Sequence, residues 1–282
     1  MLDKNWFSEP FADEGLAFSL KITDKLEQVQ TKYQNIEIYQ TDTFGKLMVI
    51  DGCVMLTSRD NFIYHEMMSH PALSIHPDPQ NVLIIGGGDC GTMREVLKHK
   101  GVLQVHQVDI DEQVTRLSEK YFPELCASNN DFRANLHFED GVKWVRDAKD
   151  GEFDVVIIDS TDPVGPAEGL FKGEFFTQCC RILKDGGIYV QQSESPLLHA
   201  GTIIKNMRTD LQNSGFRKIQ TLSFPQCSYP SGWWSCTLAS KELELDQCVN
   251  FVGDIETKYY NREVHSAAKA IPQFCLQFWQ EN

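Results

Sequence analysis

Four apolar residues, Val82-Leu83-Ile84-Ile85, run straight into Gly86-Gly87-Gly88-Asp89-Cys90-Gly91. A short apolar run closed by glycine reads as a buried strand of a parallel sheet. Glycines without a Cβ permit a tight turn and let a ligand approach the backbone. From Thr92 to His99 the pattern turns helical, so the loop sits at a helix N-terminus. Gly86, Gly88 and Gly91 satisfy G-x-G-x-x-G, the fingerprint of nucleotide-binding βαβ units. Alone it could equally mark a plain strand-to-helix turn. Its context favours a pocket: a second strand, Gln104 to Val108, ends at Asp109, about 20 residues after the loop, where a ribose-binding carboxylate is expected.

The alternation continues. A helix over Glu112–Tyr121 is ended near Pro123, and an Asn- and Asp-rich loop covers 126–135. Leu136-His137-Phe138-Glu139 reads as a third strand ending at Asp140-Gly141, followed by a short helix with Val142, Trp144 and Val145 turned inward. Val155-Val156-Ile157-Ile158 is a fourth, buried strand that ends at Asp159. Then come a helix from about Lys172 to Leu183, a Gly186-Gly187 turn, a strand at Ile188-Tyr189-Val190 and a helix over His199–Asn213. Lys218–Ser223 and Ser235–Ala239 close the series. Strand and helix in alternation predict an α/β fold with a doubly wound, largely parallel sheet, whose ligands belong beyond the carboxyl ends of the strands.

Residues 1–60 predict a small N-terminal β domain, and 61–282 the α/β domain. The first shows alternation at Ile36–Tyr39, a turn at Asp42–Lys46, a strand at Leu47–Ile50, and an Asp51-Gly52 hairpin leading into Cys53–Leu56. Asp60-Asn61 can cap a helix through Phe62, Ile63, Met67 and Met68. Pro71, Pro77 and Pro79 punctuate the link to the central strand, and His70 and His76 beside them read as surface or cap residues. His265 reads as structural, and Trp233-Trp234 as packing rather than a channel wall. The stretch from Asp162 to Gly173, with two prolines, is a candidate lid.

The net charge of −14, from 40 acids against 26 bases, argues against a nucleic-acid partner and suits a cationic one. Nine cysteines show no C-x-x-C pair and no metal-ligand spacing, and Cys179-Cys180 reads as packing. Free thiols fit a reducing compartment. Asp3, Lys4 and Asn5 interrupt any leader-like apolar run, and no stretch is long enough to span a membrane. These features predict a cytoplasmic protein with no membrane partner.

Asp89, Asp109, Asp140 and Asp159 all stand at strand ends. One such acid would be read as a helix cap. Four aimed into one crevice repel one another unless hydrogen bonds or a cation occupy it. The sharpest stretch is Asp159-Ser160-Thr161-Asp162-Pro163-Val164-Gly165-Pro166, with two carboxylates in a loop stiffened by two prolines.

These residues resemble the polyamine aminopropyltransferase family, and within it the bacterial spermidine synthases. The matching stretches are Tyr33-Gln34, Tyr64-His65-Glu66-Met67, the glycine loop, Val108-Asp109-Ile110-Asp111, Glu139-Asp140-Gly141, the Asp159–Pro166 stretch, Tyr229-Pro230-Ser231-Gly232 and Tyr259-Tyr260-Asn261. They run in family order over nearly the whole chain. The resemblance implies a Rossmann-like domain of the methyltransferase type behind the small β domain, assembled as a homodimer or homotetramer. It implies transfer of an aminopropyl group from decarboxylated S-adenosylmethionine, a co-substrate, to putrescine, with no separate cofactor and no metal. On this likeness Gln34 and Asp109 hold the ribose and the methionine-derived part. Asp140 and Gly141 recognise adenine with Pro166 nearby, and Asp89 takes the aminopropyl ammonium. Asp159 is the general base. Tyr64, His65, Asp89, Asp159, Ser160, Thr161, Asp162 and Tyr229 grip the amine. Asp109 stands where the family usually has Glu, Cys90 where it has a small residue, and Met55 where many relatives have Gln.

Three other readings use the same pattern. An S-adenosylmethionine-dependent polyamine N-methyltransferase needs room for a carboxylate that Asp89 repels. An NAD-dependent dehydrogenase leaves the Asp159/Asp162 pair unexplained. A non-catalytic polyamine-binding protein has no need of Asp159 or of the adenosine contacts.

Overall fold

The computed structural model describes residues 3–161, 165–251, 253 and 255–279, which form two sheets. The first is an antiparallel meander of β1 (Trp6–Phe11), β2 (Leu16–Gln30), β3 (Asn35–Thr41), β4 (Lys46–Ile50) and β5 (Cys53–Thr57). Asp51 and Gly52, with φ of 49° and 87°, turn β4 into β5 as the two-residue hairpin signal predicts. β1 and β2 lie outside the strands that the pattern predicts. Leu16, Phe18, Leu20 and Ile22 do alternate along the first half of β2, but only Leu20 is buried and the second half is mainly polar and charged.

The second sheet contains β6 (Asn81–Gly86), β7 (Gln104–Asp109), β8 (Ala134–Phe138), β9 (Phe153–Asp159), β10 (Leu183–Gln192), β11 (Lys218–Pro225) and β12 (Trp233–Ser240), in the order β11-β12-β10-β9-β6-β7-β8. Strands β8, β7, β6, β9 and β10 run parallel, and β12 is antiparallel to both of its neighbours. The fold is thus a Rossmann-like α/β sheet behind an N-terminal β domain. β10 begins at Leu183 and passes through Gly186-Gly187 with a register shift, earlier than its apolar run suggests.

The buried strands alternate faces with period two. Val82, Ile84, Val155 and Ile157 join one core, with α1 (Asn61–Ile75), α2 (Gly91–Leu97) and α3 (Glu112–Tyr121). Leu83, Ile85, Val156 and Ile158 join the other, with α4 (Gly141–Asp147), α5 (Gly173–Ile182) and α7 (Ile203–Asn213). Each such side chain contributes about 1.5–3 kcal/mol on burial. The helix predicted from His199 is split: α6 covers Pro196–His199 and α7 starts at Ile203. α8 (Arg262–Ala268) and α9 (Gln273–Trp279) end the described chain. Among the described residues no helix is long and apolar enough to cross a membrane.

α1 is buried along nearly its whole length, and Pro71 lies inside it rather than ending it. Proline removes the amide that would bond the Met67 carbonyl; that carbonyl accepts the Cys236 thiol instead, at 3.5 Å. His70 and His76 are buried, not surface residues. His70 sits between Glu95 (3.1 Å) and His99 (2.9 Å), a polar pairing that makes its burial tolerable. His76 accepts the Asp78 amide N–H and lies 3.9 Å from Asp154. Glu66, also on α1 and buried, accepts three backbone N–H groups, from Lys258 (2.8 Å), Tyr259 (2.9 Å) and Tyr260 (2.7 Å). His265 is buried against the Tyr260 hydroxyl at 2.9 Å, and Cys179 and Cys180 pack in the second core.

Candidate active site

The sheet order reverses at β6, which has β9 on one side and β7 on the other. Ligands of open α/β sheets bind at such a switch point. Here Gly86, Gly87, Gly88 and Asp89 after β6, Asp109 at the end of β7, Asp140 after β8 and Asp159 at the end of β9 line one cavity. The first sheet roofs it with Gln34, Met48, Cys53 and Met55. Tyr64 of α1, Tyr229 of the β11–β12 connection, and Ser160 and Thr161 complete the wall. Asp162 lies outside the described residues, as do 163 and 164 of the candidate lid, and the side chain of Pro166 is likewise not described.

The glycines make this convergence possible. Gly86 has φ +82°, and a Cβ there would strike the Asp159 carbonyl. The Gly87 amide donates to that same carbonyl at 2.7 Å, so the loop and the backbone of Asp159 form one unit. A Cβ on Gly88 would lie 2.7 Å from Asp109 Oδ2, and one on Gly91 would meet the His65 ring. The third fingerprint glycine thus makes room for a side chain of α1. Cys90 holds a left-handed conformation (φ 69°) and is fully buried, its thiol donating to the Gly88 carbonyl at 3.6 Å.

At the β7 end of the cavity, Asp109 Oδ1 accepts the Asp111 amide N–H (2.8 Å). Burial pushes the Asp109 carboxyl up to about 6, with the nearby charges of Asp111 and Asp159 adding to it and backbone donors partly offsetting it. Asp111 caps α3 and also accepts Gln34 Nε2 (3.1 Å) and the Thr31 hydroxyl (2.7 Å), which fixes the Gln34 amide beside Asp109. Asp140 caps α4, accepting the amides of Val142 (2.8 Å) and Lys143 (3.2 Å) through one oxygen. Val142, predicted to face inward, is 39% exposed and lines the cavity. The first turn of α4 points its apolar side chain at the ligand space, not at the core.

Deeper in, Asp89 accepts the Gly91 amide at 2.6 Å and lies 3.2 Å from His65 Nε2. Burial would raise the Asp89 carboxyl, but the His65 ring and the Gly91 amide outweigh it and hold Asp89 below the usual carboxylate range. His65 is buried and does not line the cavity; it touches Asp89 from behind. Burial disfavours its charged form, yet the carboxylates of Asp89 and Asp159 outweigh that and raise it. Asp159 moves the other way from Asp89: burial and the negative charge of Asp89 raise it above the usual range. The Thr92 hydroxyl donates to its Oδ2 (2.6 Å) and the Tyr64 hydroxyl to its Oδ1 (2.7 Å).

Next to Tyr64 the site continues into a recess lined by Glu9, Gln192, Tyr229 and Trp234. Gln192 Nε2 and Trp234 Nε1 are buried there without a hydrogen-bond partner in the described structure. Glu9, 6% exposed, accepts the Val54 amide at 2.9 Å. The sequence reading names none of these as site residues except Tyr229. Glu9 lies on β1, which carries no legible strand signal, and Gln192 lies at the end of β10, beyond its apolar run. The recess therefore offers the Glu9 carboxylate as an acceptor, while the uncommitted Gln192 and Trp234 groups are N–H donors.

Residues 61–250 match the Spermine/spermidine synthase domain, and residues 5–58 the Spermidine synthase tetramerisation domain. The polyamine aminopropyltransferase of Thioalkalivibrio sulfidiphilus is 60% identical over 276 residues, covering 97% of both chains. That of Alkalilimnicola ehrlichii is 56% identical, covering 97% of this chain and 96% of the other. A spermidine synthase solved in complex with the transition-state analogue AdoDATO superimposes with a TM-score of 0.92 at 34% identity, over 98% of this chain and 95% of that one. The Thermotoga maritima spermidine synthase gives 0.90 at 35% identity, over 96% and 93%.

Proposed function

Because the chain belongs to the spermine/spermidine synthase family and is an aminopropyltransferase, we propose that it carries the aminopropyl group of decarboxylated S-adenosylmethionine to putrescine, releasing spermidine and 5'-methylthioadenosine. The observation that carries this reading is the opposed behaviour of two buried carboxylates: Asp89 is held ionised while Asp159 is raised towards proton uptake. Paired titratable groups pushed apart by their surroundings mark separate roles. Asp89 is the standing partner of the donor's ammonium, and Asp159 is the base.

The chemistry is a direct displacement. An amine nitrogen of putrescine gives one proton to Asp159, and its freed lone pair attacks the carbon attached to the sulfonium. The new C–N bond forms as the C–S bond breaks, and sulfur leaves as a neutral thioether that needs no acid. Alignment and one base meet the whole demand, so the step asks for no metal or redox cofactor. Asp109 and Gln34 hold the ribose hydroxyls, Asp140 and Gly141 the adenine. Tyr64 and Tyr229 give their protons to Asp159 and to the Met55 carbonyl, so toward an ammonium their oxygens act as acceptors. The Glu9 carboxylate suits the distal ammonium of the acceptor. A methyltransferase reading fits less well, because S-adenosylmethionine itself would bring a carboxylate beside Asp89.

The test is an amine panel (putrescine, cadaverine, spermidine) with decarboxylated S-adenosylmethionine, S-adenosylmethionine or NAD, read by product mass. Spermidine and 5'-methylthioadenosine from the first of each are the expected products. A methylated amine, or a marked preference for a longer acceptor, overturns the assignment. We also propose a cytoplasmic homodimer or homotetramer joined through the first sheet; the match of residues 5–58 to a tetramerisation domain and the open face of β2 support the assembly.

A further inference from the structure

Thr92 stands on the first turn of α2, directly after the glycine loop, and is fully buried. It is not among the cavity-lining residues, so its side chain has no part in holding a ligand. Its hydroxyl nonetheless reaches across to Asp159 Oδ2 at 2.6 Å, while Tyr64 holds Oδ1 at 2.7 Å. A carboxylate offers about two acceptor positions on each oxygen. Thr92 and Tyr64 take one on each, which fixes the plane of the group and leaves one on each for an incoming ammonium.

We propose that the Thr92 hydroxyl is a positioning group for the base: it orients the Asp159 carboxylate and keeps it in its proton-accepting form. The inference rests on the reading of Asp159 as the general base. Asp159 faces an unfavourable field for a negative charge. Asp89 approaches from the loop after β6 and Asp109 from the end of β7, and both are carboxylates. His65 on α1 opposes them, and Arg94 on α2 acts on Asp89 and on His65. Tyr229 packs edge-on to Tyr64, with ring centroids 5.7 Å apart. Burial adds to the cost of the charge. In that setting the charge of His65, then the hydroxyls of Thr92 and Tyr64, favour the ionised form, and the two hydroxyls are the groups that bond the carboxylate directly.

Thr92→Val keeps the shape and removes the donor. With saturating substrates we expect kcat at neutral pH to fall about tenfold, the worth of one hydrogen bond to a charged group. The acid limb of the kcat–pH profile should move to higher pH, so that the loss shrinks as pH rises. KM for both substrates and affinity for 5'-methylthioadenosine should stay unchanged, and Thr92→Ser should restore both rate and limb. Thr92→Ala, which lacks the donor with a different packing defect, should show the same displaced limb, and so carries the test if the valine variant folds poorly. An unmoved acid limb in the valine and alanine variants overturns the inference, as does a serine variant no better than valine. Asp159→Asn run in parallel separates the two readings. If it abolishes the limb while Thr92→Val leaves it in place, only the role of Thr92 falls. If Asp159→Asn keeps the wild-type limb, the base reading falls and this inference with it.

Discussion

Tyr229 donates its phenol proton to the backbone carbonyl of Met55 at 2.6 Å, joining the β11–β12 connection to the first sheet across the mouth of the recess. The contact runs through the Met55 backbone carbonyl, so it does not depend on the Met55 side chain. Tyr229→Phe should raise KM for putrescine about tenfold, the worth of one hydrogen bond to an ammonium, with donor affinity by calorimetry unchanged. Donor affinity that falls while putrescine kinetics stay intact would put Tyr229 on the donor side.

Asp89→Asn should weaken binding of decarboxylated S-adenosylmethionine about tenfold or more relative to 5'-methylthioadenosine, because only the former carries an ammonium. Equal losses for the two ligands in a direct titration would show that Asp89 does not meet that group.

Asp159→Asn removes the proposed base and a charge but preserves shape. The expected fall in kcat is roughly 10²–10⁴, the range for a positioned base, with 5'-methylthioadenosine binding retained. Raising the assay pH should recover part of the rate by supplying unprotonated amine. Turnover within a few-fold of wild type at neutral pH would mean that another group takes the proton.

Asp109 links ligand binding to stability. Its carboxyl sits at about 6 in the fold against an ordinary 3.8. Between those values the native state binds the proton that the unfolded chain has released, so stability falls as pH rises through this window. Above about 6 the native protein carries the full penalty, on the order of 3 kcal/mol. Below 3.8 both states are protonated and the penalty disappears. Asp109→Asn should therefore raise the Tm of the ligand-free protein at neutral pH, with the gain vanishing near pH 4, while 5'-methylthioadenosine affinity drops. A Tm difference that does not change with pH would exclude this titration as its source.

The parallel sheet was legible because its strands are apolar runs closed by glycine or aspartate, and Asp89, Asp109, Asp140 and Asp159 could be placed at one crevice from that punctuation alone. The rest was hidden for particular reasons. β2 alternates only over Leu16–Ile22 before turning mainly polar, and Glu9 lies on β1, a six-residue strand containing Pro10 that carries no strand signal of its own. His70 looked like a surface residue because its partners, Glu95 and His99, are far along the chain. Thr92 reads as an ordinary first-turn residue until β9 brings Asp159 to its hydroxyl. The pattern also gave no hint that Gly91 is small on behalf of His65 rather than of a phosphate or a strand.

The carboxylate of Glu66 lies one residue from His65 and two from Tyr64, yet its three amide partners sit more than 190 positions later, at Lys258, Tyr259 and Tyr260. During synthesis, α1 leaves the ribosome long before those amides exist. A buried charge without partners is strongly unfavourable, so α1 cannot settle into its final packing while the tail is still being made. The helix that carries Tyr64 is completed by a segment that emerges more than 190 residues after Glu66. A nascent protein arrested short of residue 258 should hold α1 loosely against β6 and β9, with Tyr64 not yet fixed on Asp159.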